Sequence, residues 1–278
     1  MITDEETNVL YLADSLPKLQ VSFFPRFKKV LGDLNLSFEF MPGTKDIWAV
    51  DYMPIQVHQD KFVQFTYDPD YLQKKEYKKT ISDVDAICNK MKLETHKSNL
   101  VVDGGNVVKG KDKVILCDKV FQENKHLSER ELIAQLEALL EVSKIIFVPW
   151  DPWDFTGHAD GMVRFVNDDM VLINDYGKED KAFQRCFRMA LHNAGLDWIE
   201  LPYQPTTDPK SISAEGLYLN YLHLNGTLVV PTFNNDHDER AVWTLKQVFP
   251  NHTIATIECN DLAAEGGLLN CITWNILK

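Results

Sequence analysis

The chain has 278 residues, 45% of them hydrophobic and 25% charged, an ordinary soluble mixture with enough apolar material for a large core. Its net charge of −12 argues against a nucleic-acid binder, which needs clustered Lys and Arg, and is compatible with a cationic small molecule, although simple solubility explains the bulk charge as well. No stretch reaches the roughly 18 apolar residues of a membrane span, and residues 1–7 are acidic without the apolar core of a signal peptide, so a cytoplasmic protein is expected.

In chain order, a helix is expected over 16–31 and a strand over 37–41. A hairpin follows, with arms 53–57 and 62–65 joined by a polar turn. Next come a helix over 82–91 and a short strand at 100–102. The pattern then repeats. Asn106-Val107-Val108 and Val114-Ile115-Leu116-Cys117 flank the polar tip 109–113, a helix covers 128–142 and a strand 145–148. In that helix Leu132, Ile133, Leu136, Leu139 and Leu140 share one face, and Ser128 with Glu131 forms a capping-box pattern. A third hairpin spans 161–173, followed by a helix over 181–194 that stops at Gly195 and a strand over 198–201. The fourth hairpin turns on Asn225-Gly226, a pair that favours positive φ, and precedes a helix over 238–249 and a strand over 253–257.

Each hairpin is opened by a short polar or glycine-rich motif. The motifs are Asp51-Tyr52-Met53-Pro54, Asp103-Gly104-Gly105-Asn106, His158-Ala159-Asp160-Gly161, Tyr218-Leu219-Asn220-Tyr221 and Gly267-Leu268-Leu269-Asn270-Cys271. Asp51, Asp103, Asp160, Tyr218 and Asn270 are separated in turn by 52, 57, 58 and 52 residues. Such a period suggests one supersecondary unit used several times, none of which buries its apolar face alone. The half unit at each end completes a fifth copy if the ring closes. The expected fold is therefore α/β, five ββαβ-like units around a pseudo-fivefold axis, forming a single domain over 1–278 with the motif loops at the axis.

Converging motifs would bring together Asp51, Asp103, His158, Asp160 and Cys271. That set contains a thiol nucleophile, a general acid–base, a group to orient it and spare negative charge. Two carboxylates beside a thiol suit a planar cation, and a guanidinium offers them a fixed fork of N–H donors. The five cysteines, at 88, 117, 186, 259 and 271, lack metal-ligand spacing. No metal is expected, and the other four cysteines read as packing or surface thiols.

At this point the residues carry a resemblance. Trp48-Ala49-Val50-Asp51, Asp103-Gly104-Gly105, Gly157-His158-Ala159-Asp160 and Gly266-Gly267 through Cys271-Ile272-Thr273 resemble, in order, the motifs of the agmatine deiminase family, which includes the Porphyromonas-type peptidylarginine deiminases. The resemblance implies a five-bladed α/β propeller (a pentein) that hydrolyses a guanidinium to a ureido group and ammonia without a metal or organic cofactor. It implies Cys271 as nucleophile, His158 as acid–base, Asp103 as its partner at a position usually Glu, and Asp51 and Asp160 as guanidinium-binding carboxylates. Asp154 matches an acidic position near the substrate tail and Trp48 a pocket wall. Trp150 and Trp153 either line the pocket or pack, and Asn220 either contacts substrate or caps its loop.

Three departures are legible: Val50 stands where relatives carry Arg, and Leu268 and Asn270 depart from a G-G-N-x-H-C pattern. The leading expectation is conversion of agmatine to N-carbamoylputrescine, a step in putrescine and polyamine metabolism. The alternatives are an amidinotransferase, a deiminase of free or peptidyl arginine, and a catalytically silent propeller that binds cationic ligands or a partner. The sequence does not set the oligomeric state and is compatible with a homo-oligomer.

Overall fold

Apolar runs on either side of each polar turn become paired strands, and each helical stretch becomes the crossover to a third. The computed structural model describes residues 1–203 and 211–278. Its strands in chain order are β1 (Val9–Ala13), β2 (Phe38–Met41), β3 (Ile55–His58), β4 (Lys61–Thr66), β5 (His96–Val101), β6 (Val108–Lys109), β7 (Lys113–Cys117) and β8 (Lys144–Val148). They continue with β9 (Val163–Phe165), β10 (Met170–Asn174), β11 (Asp197–Leu201), β12 (Leu222–Leu224), β13 (Thr227–Thr232), β14 (Thr253–Glu258) and β15 (Thr273–Ile276).

Among the described residues these strands form five three-stranded sheets: β15-β1-β2, β3-β4-β5, β6-β7-β8, β9-β10-β11 and β12-β13-β14. In every sheet the central strand pairs antiparallel on one side and parallel on the other. The parallel pair is bridged by a helix, as a parallel connection requires. The architecture is thus a five-bladed α/β propeller with ββαβ blades. The Asn225-Gly226 turn has φ values of 48° and +67°, which lets Leu224 pair directly with Thr227.

One blade is built from both ends of the chain. β15 supplies the first arm of its hairpin and β1 the second, with Val9 opposite Ile276 and Leu12 opposite Thr273. The expectation of half a unit at each end holds, but the central strand β1 was not among the expected elements. The expected helix over 16–31 is two helices, Leu16–Leu19 and Phe23–Asp33. The break has a covalent cause. A continuous helix would place Pro25 in its interior, where the ring clashes with the preceding turn, whereas a restart at Phe23 puts Pro25 in the first turn. β5 begins earlier than expected because its first residues, His96 and Lys97, are exposed and carry no apolar signal.

The helices form where the apolar period predicts. Glu129–Leu140 starts on a complete capping box between Ser128 and Glu131 and buries Leu132, Leu136 and Leu140. Lys181–Ala194 is capped by the Asp180 carboxylate and ends at Gly195, φ +77°. These two helices pack between blades. Leu132, Leu136 and Leu140 share a core with Val57 and Val63 of one sheet and Val114 and Leu116 of the next. Phe187 and Leu191 do the same between Ile115 and Ile173. Burial is therefore a property of neighbouring blades, not of one. No helix among the described residues is long and apolar enough to cross a membrane.

Candidate active site

The five motif segments sit where one blade hands over to the next, and they are joined in a closed circuit of hydrogen bonds. Val50 N donates to Cys271 O at 3.2 Å, and Asn270 N to Asn220 O at 3.2 Å. Asn220 Nδ2 donates to Asp160 Oδ2 at 3.1 Å, His158 Nε2 meets Asp103 Oδ2 at 3.0 Å, and Gly105 N donates to Asp51 Oδ1 at 3.1 Å. Asp51, Asp103, His158, Asp160 and Cys271 are thereby brought together, each under a tenth exposed.

The glycines permit this approach. A Cβ on Gly104 would lie 1.9 Å from Val50 O, and one on Gly105 2.5 Å from Asp51 Oδ1 and 2.7 Å from His158 Nδ1. Gly267 faces the Trp48 ring, where a Cβ would come within 2.4 Å.

His158 lies between two carboxylates. Its Nε2 is bonded to Asp103, and its Nδ1 is 3.5 Å from Asp51 Oδ1. Burial opposes its charge, but Asp51 and then Asp103 outweigh that and hold the imidazolium to well above the usual histidine range. Burial, reinforced by Asp160 and Asp51, pushes the Cys271 thiol well above its ordinary value. Burial likewise raises Asp51 and Asp160, Asp51 being pushed further by Asp103 and eased by His158. The centre holds more acid than it has cations to balance, so a bound cation relieves it.

Asn220 is the hub of the thiol side. Its Oδ1 accepts from Asn270 N at 3.0 Å, Cys271 N at 3.3 Å and Cys271 Sγ at 3.4 Å. Asn270 Nδ2 donates to Asp160 Oδ2 at 2.7 Å. Asn270, which departs from the family pattern, thus fixes one of the two axial carboxylates from the same turn that carries the thiol.

Cys271, His158, Asp51, Asp160 and Asn220 all open into one cavity of about 690 Å³. Trp48 and Trp153 are in its wall, and Trp153 is tethered through Nε1 to Glu179 at 2.7 Å. Trp150, the other tryptophan for which a pocket position was weighed, packs behind Gly157 instead. Asp154 also lines the cavity, but its oxygens accept from Thr156 N, Thr156 Oγ1 and His158 N at 2.6–2.8 Å, so it shapes the histidine loop. Wall residues missed from sequence include Asp46, Asp151 and Tyr71. The Asp46 carboxylate accepts the backbone N–H of Trp48, and burial raises it to about 7. Asp151 is held by the hydroxyls of Tyr176 and Tyr203. The sequence signal for Asp46 was its place two residues before Trp48 in the first motif; nothing local marked Tyr71.

A profile of the Porphyromonas-type peptidyl-arginine deiminase family matches residues 7–276. The agmatine deiminase of Pseudomonas aeruginosa UCBPP-PA14 is 27% identical over 211 residues, 63% of this chain and 56% of that protein. A putative agmatine deiminase of Mycoplasma mycoides is 23% identical over 219 residues, 67% of this chain and 60% of its own. These alignments span little more than half the length of the curated relatives. The solved agmatine deiminase of C. jejuni superposes with a TM-score of 0.80 at 20% identity, covering 100% of this chain and 95% of that one, which is a likeness of fold. With a profile matched along nearly its whole length and five blades meeting at the matched motifs, the chain belongs to the Porphyromonas-type peptidyl-arginine deiminase family.

Proposed function

We propose that this chain hydrolyses the guanidinium group of a small cationic compound, with agmatine the best-fitting substrate and N-carbamoylputrescine and ammonia the products. The observation that carries this reading is the make-up of the cavity. A thiol, an imidazole and two buried carboxylates face a space whose wall holds one lysine, Lys45, and no arginine among the described residues. Asp46, Asp151, Asp154, Glu215 and Glu265 add acid around the same space. A guanidinium with a cationic tail suits that wall; the α-carboxylate of free arginine would find no arginine to pair with. The names of the curated relatives point the same way.

The chemistry follows from the placement. Asp51 and Asp160 hold the guanidinium nitrogens, and the substrate's charge offsets the acids that keep Cys271 protonated. On binding, the Cys271 thiol loses its proton to water; the thiolate attacks the guanidinium carbon, forming a C–S bond, and the imidazolium of His158 gives its proton to the departing nitrogen as the C–N bond breaks. Ammonia leaves a covalent thiouronium. Neutral His158 then takes a proton from water, hydroxide adds to the same carbon, and the C–S bond breaks as the added hydroxyl gives its proton to water, returning the thiolate and releasing the ureido product. Asp103 holds the imidazole in register throughout.

The test is ammonia release across agmatine, arginine, methylarginines and arginyl peptides. Agmatine should give the highest kcat/KM, and Cys271→Ser should abolish turnover by roughly a thousandfold or more while leaving the fold intact. A new guanidino compound in place of ammonia and a ureido product would show an amidinotransferase. Full turnover by Cys271→Ser, or no turnover on the whole panel, would defeat the reading.

A further inference from the structure

Lys119 lies outside the axial motifs, yet it is 2% exposed and its ammonium has partners on three segments. Its Nζ donates to Thr156 O at 2.6 Å, meets Asp70 Oδ1 at 3.0 Å and Glu123 Oε1 at 3.2 Å, and sits over the rings of Tyr71 at 4.9 Å and Trp150 at 5.5 Å. Lysine is rarely buried without such pairing, because the ammonium loses its hydration. Its stem is equally engaged. Gly157, at φ +68°, packs so closely that a Cβ would fall 2.5 Å from the Lys119 Cδ.

The segments it joins both end on the acid–base pair. Asp70 and Tyr71 belong to the strap of residues 67–80 that follows β4, and Tyr71 Oη donates to Asp103 Oδ2 at 3.1 Å. That is the oxygen His158 Nε2 uses, and the Tyr71 ring stands edge-on to the imidazole at 6.2 Å. Thr156 and Gly157 lead directly into His158. One side chain therefore fastens the strap to the histidine loop, with Asp51, Asp103, Asp154 and Tyr71 as the groups facing His158.

We infer that Lys119 is a positioning residue: its ammonium clamps the strap of residues 67–80 to the loop before His158, and so seats the Tyr71 hydroxyl on Asp103 and holds the His158–Asp103 pair in line. The kinetic consequence rests on the proposed deiminase activity; the clamp itself does not. Small displacements of an acid–base pair cost turnover steeply, more than they cost binding.

The experiment uses the full chain carrying Lys119→Met, Lys119→Arg, Tyr71→Phe, the double variant Lys119→Met/Tyr71→Phe, and Asp70→Asn. Asp70 is 63% exposed, so its variant opens the clamp from the strap side without emptying a buried site. Trypsin reads the clamp independently of activity, because Lys74, Lys75, Lys78 and Lys79 are exposed on the strap. Lys119→Met and Asp70→Asn should raise cleavage there roughly tenfold with other sites unchanged, and Lys119→Arg should restore most of the protection. Per Cys271 site titrated by a thiol label, Lys119→Met should lower kcat roughly tenfold or more with little change in KM. On the Tyr71→Phe background it should add far less, because both changes break one linkage. Unchanged cleavage in both clamp variants, wild-type kcat per labelled site, or additive losses would overturn the inference. If cleavage rises but the wild-type protein turns over no guanidino compound, the clamp stands and the proposed activity falls.

Discussion

At Gly105 a methyl group has nowhere to go. It would fall 2.5 Å from Asp51 Oδ1 and 2.7 Å from His158 Nδ1, both buried, while the Gly105 N–H is the donor that fixes Asp51. Gly105→Ala should therefore force those two side chains apart and lower kcat about 100-fold or more, with a smaller effect on the unfolding midpoint. A steady-state assay with a denaturant melt checks it; near wild-type turnover would mean that Asp51 need not sit against the imidazole. The sequence showed the residue types here but not their uses. Asp154 reads as a residue near the substrate tail; it lines the cavity, and its oxygens also cap its own loop. Asn220 reads as either a substrate contact or a loop cap, and its carbonyl gathers the Cys271 turn while its amide holds Asp160. A carboxylate's role depends on which donors reach it, and those that fix Asp51 and Asp160 lie 54, 60 and 110 residues away.

The elements were the most legible level, because helices and hairpins are local. The Leu132–Leu136–Leu140 stripe predicted the helix Glu129–Leu140, and the same stripe fills the space between two sheets. Leu136 is fully buried there, so Leu136→Ala should cost about 2–5 kcal/mol of unfolding free energy, read from the shift in urea midpoint, with activity per folded molecule retained. β12 carries a second testable group. Burial pushes His223 down to about 4, against Asp4, which opposes the shift, and with Arg164, His252 and Lys109 adding to it. An unfolded histidine takes its proton near 6.5, so between about 6.5 and 4 the unfolded chain binds more protons and stability falls as pH falls. Comparing wild type with His223→Phe isolates this contribution, since the phenyl ring cannot titrate among Tyr221, Phe249 and His252. The variant should be spared on the order of 2–3 kcal/mol of the wild-type loss across that window. Parallel pH profiles for the two proteins would remove His223 as the source.

For the molecule as a whole the critical event is closure. β1 pairs with β15, and the segment before β1 crosses to other blades: Ile2 N donates to Val57 O and Asn225 N to Thr7 O. Asp4 meets Arg164 at 2.6 Å and Lys109 at 2.7 Å, and Arg164 lies over the Tyr221 ring at 4.6 Å. Burial opposes the Asp4 charge, but Lys109 and then Arg164 hold its carboxyl well below the ordinary range. Asp4→Asn leaves Arg164, itself 3% exposed, without its counter-ion. The expected cost is about 2–3 kcal/mol, less than for a fully enclosed pair because the Asp4 side chain keeps 23% exposure. An unchanged denaturant midpoint would show that this crossing does not lock the ring.

By itself the sequence determined the unit, its number and the residue types of the candidate site. The period of the motifs, the Asn225-Gly226 turn, the helical stripes and the residues Asp51, Asp103, His158, Asp160 and Cys271 are all written locally, because turn dihedrals and amphipathic faces depend on neighbours in the chain. Only the tertiary structure decided that β1 is the centre of the closing blade, that Asn270 and Asn220 jointly hold Asp160, and that Lys119 ties a distant strap to the histidine loop. Those contacts join residues far apart in sequence. Their energies come from desolvation and hydrogen-bond geometry inside a closed ring, and no local pattern of residues encodes which distant donor will meet which acceptor.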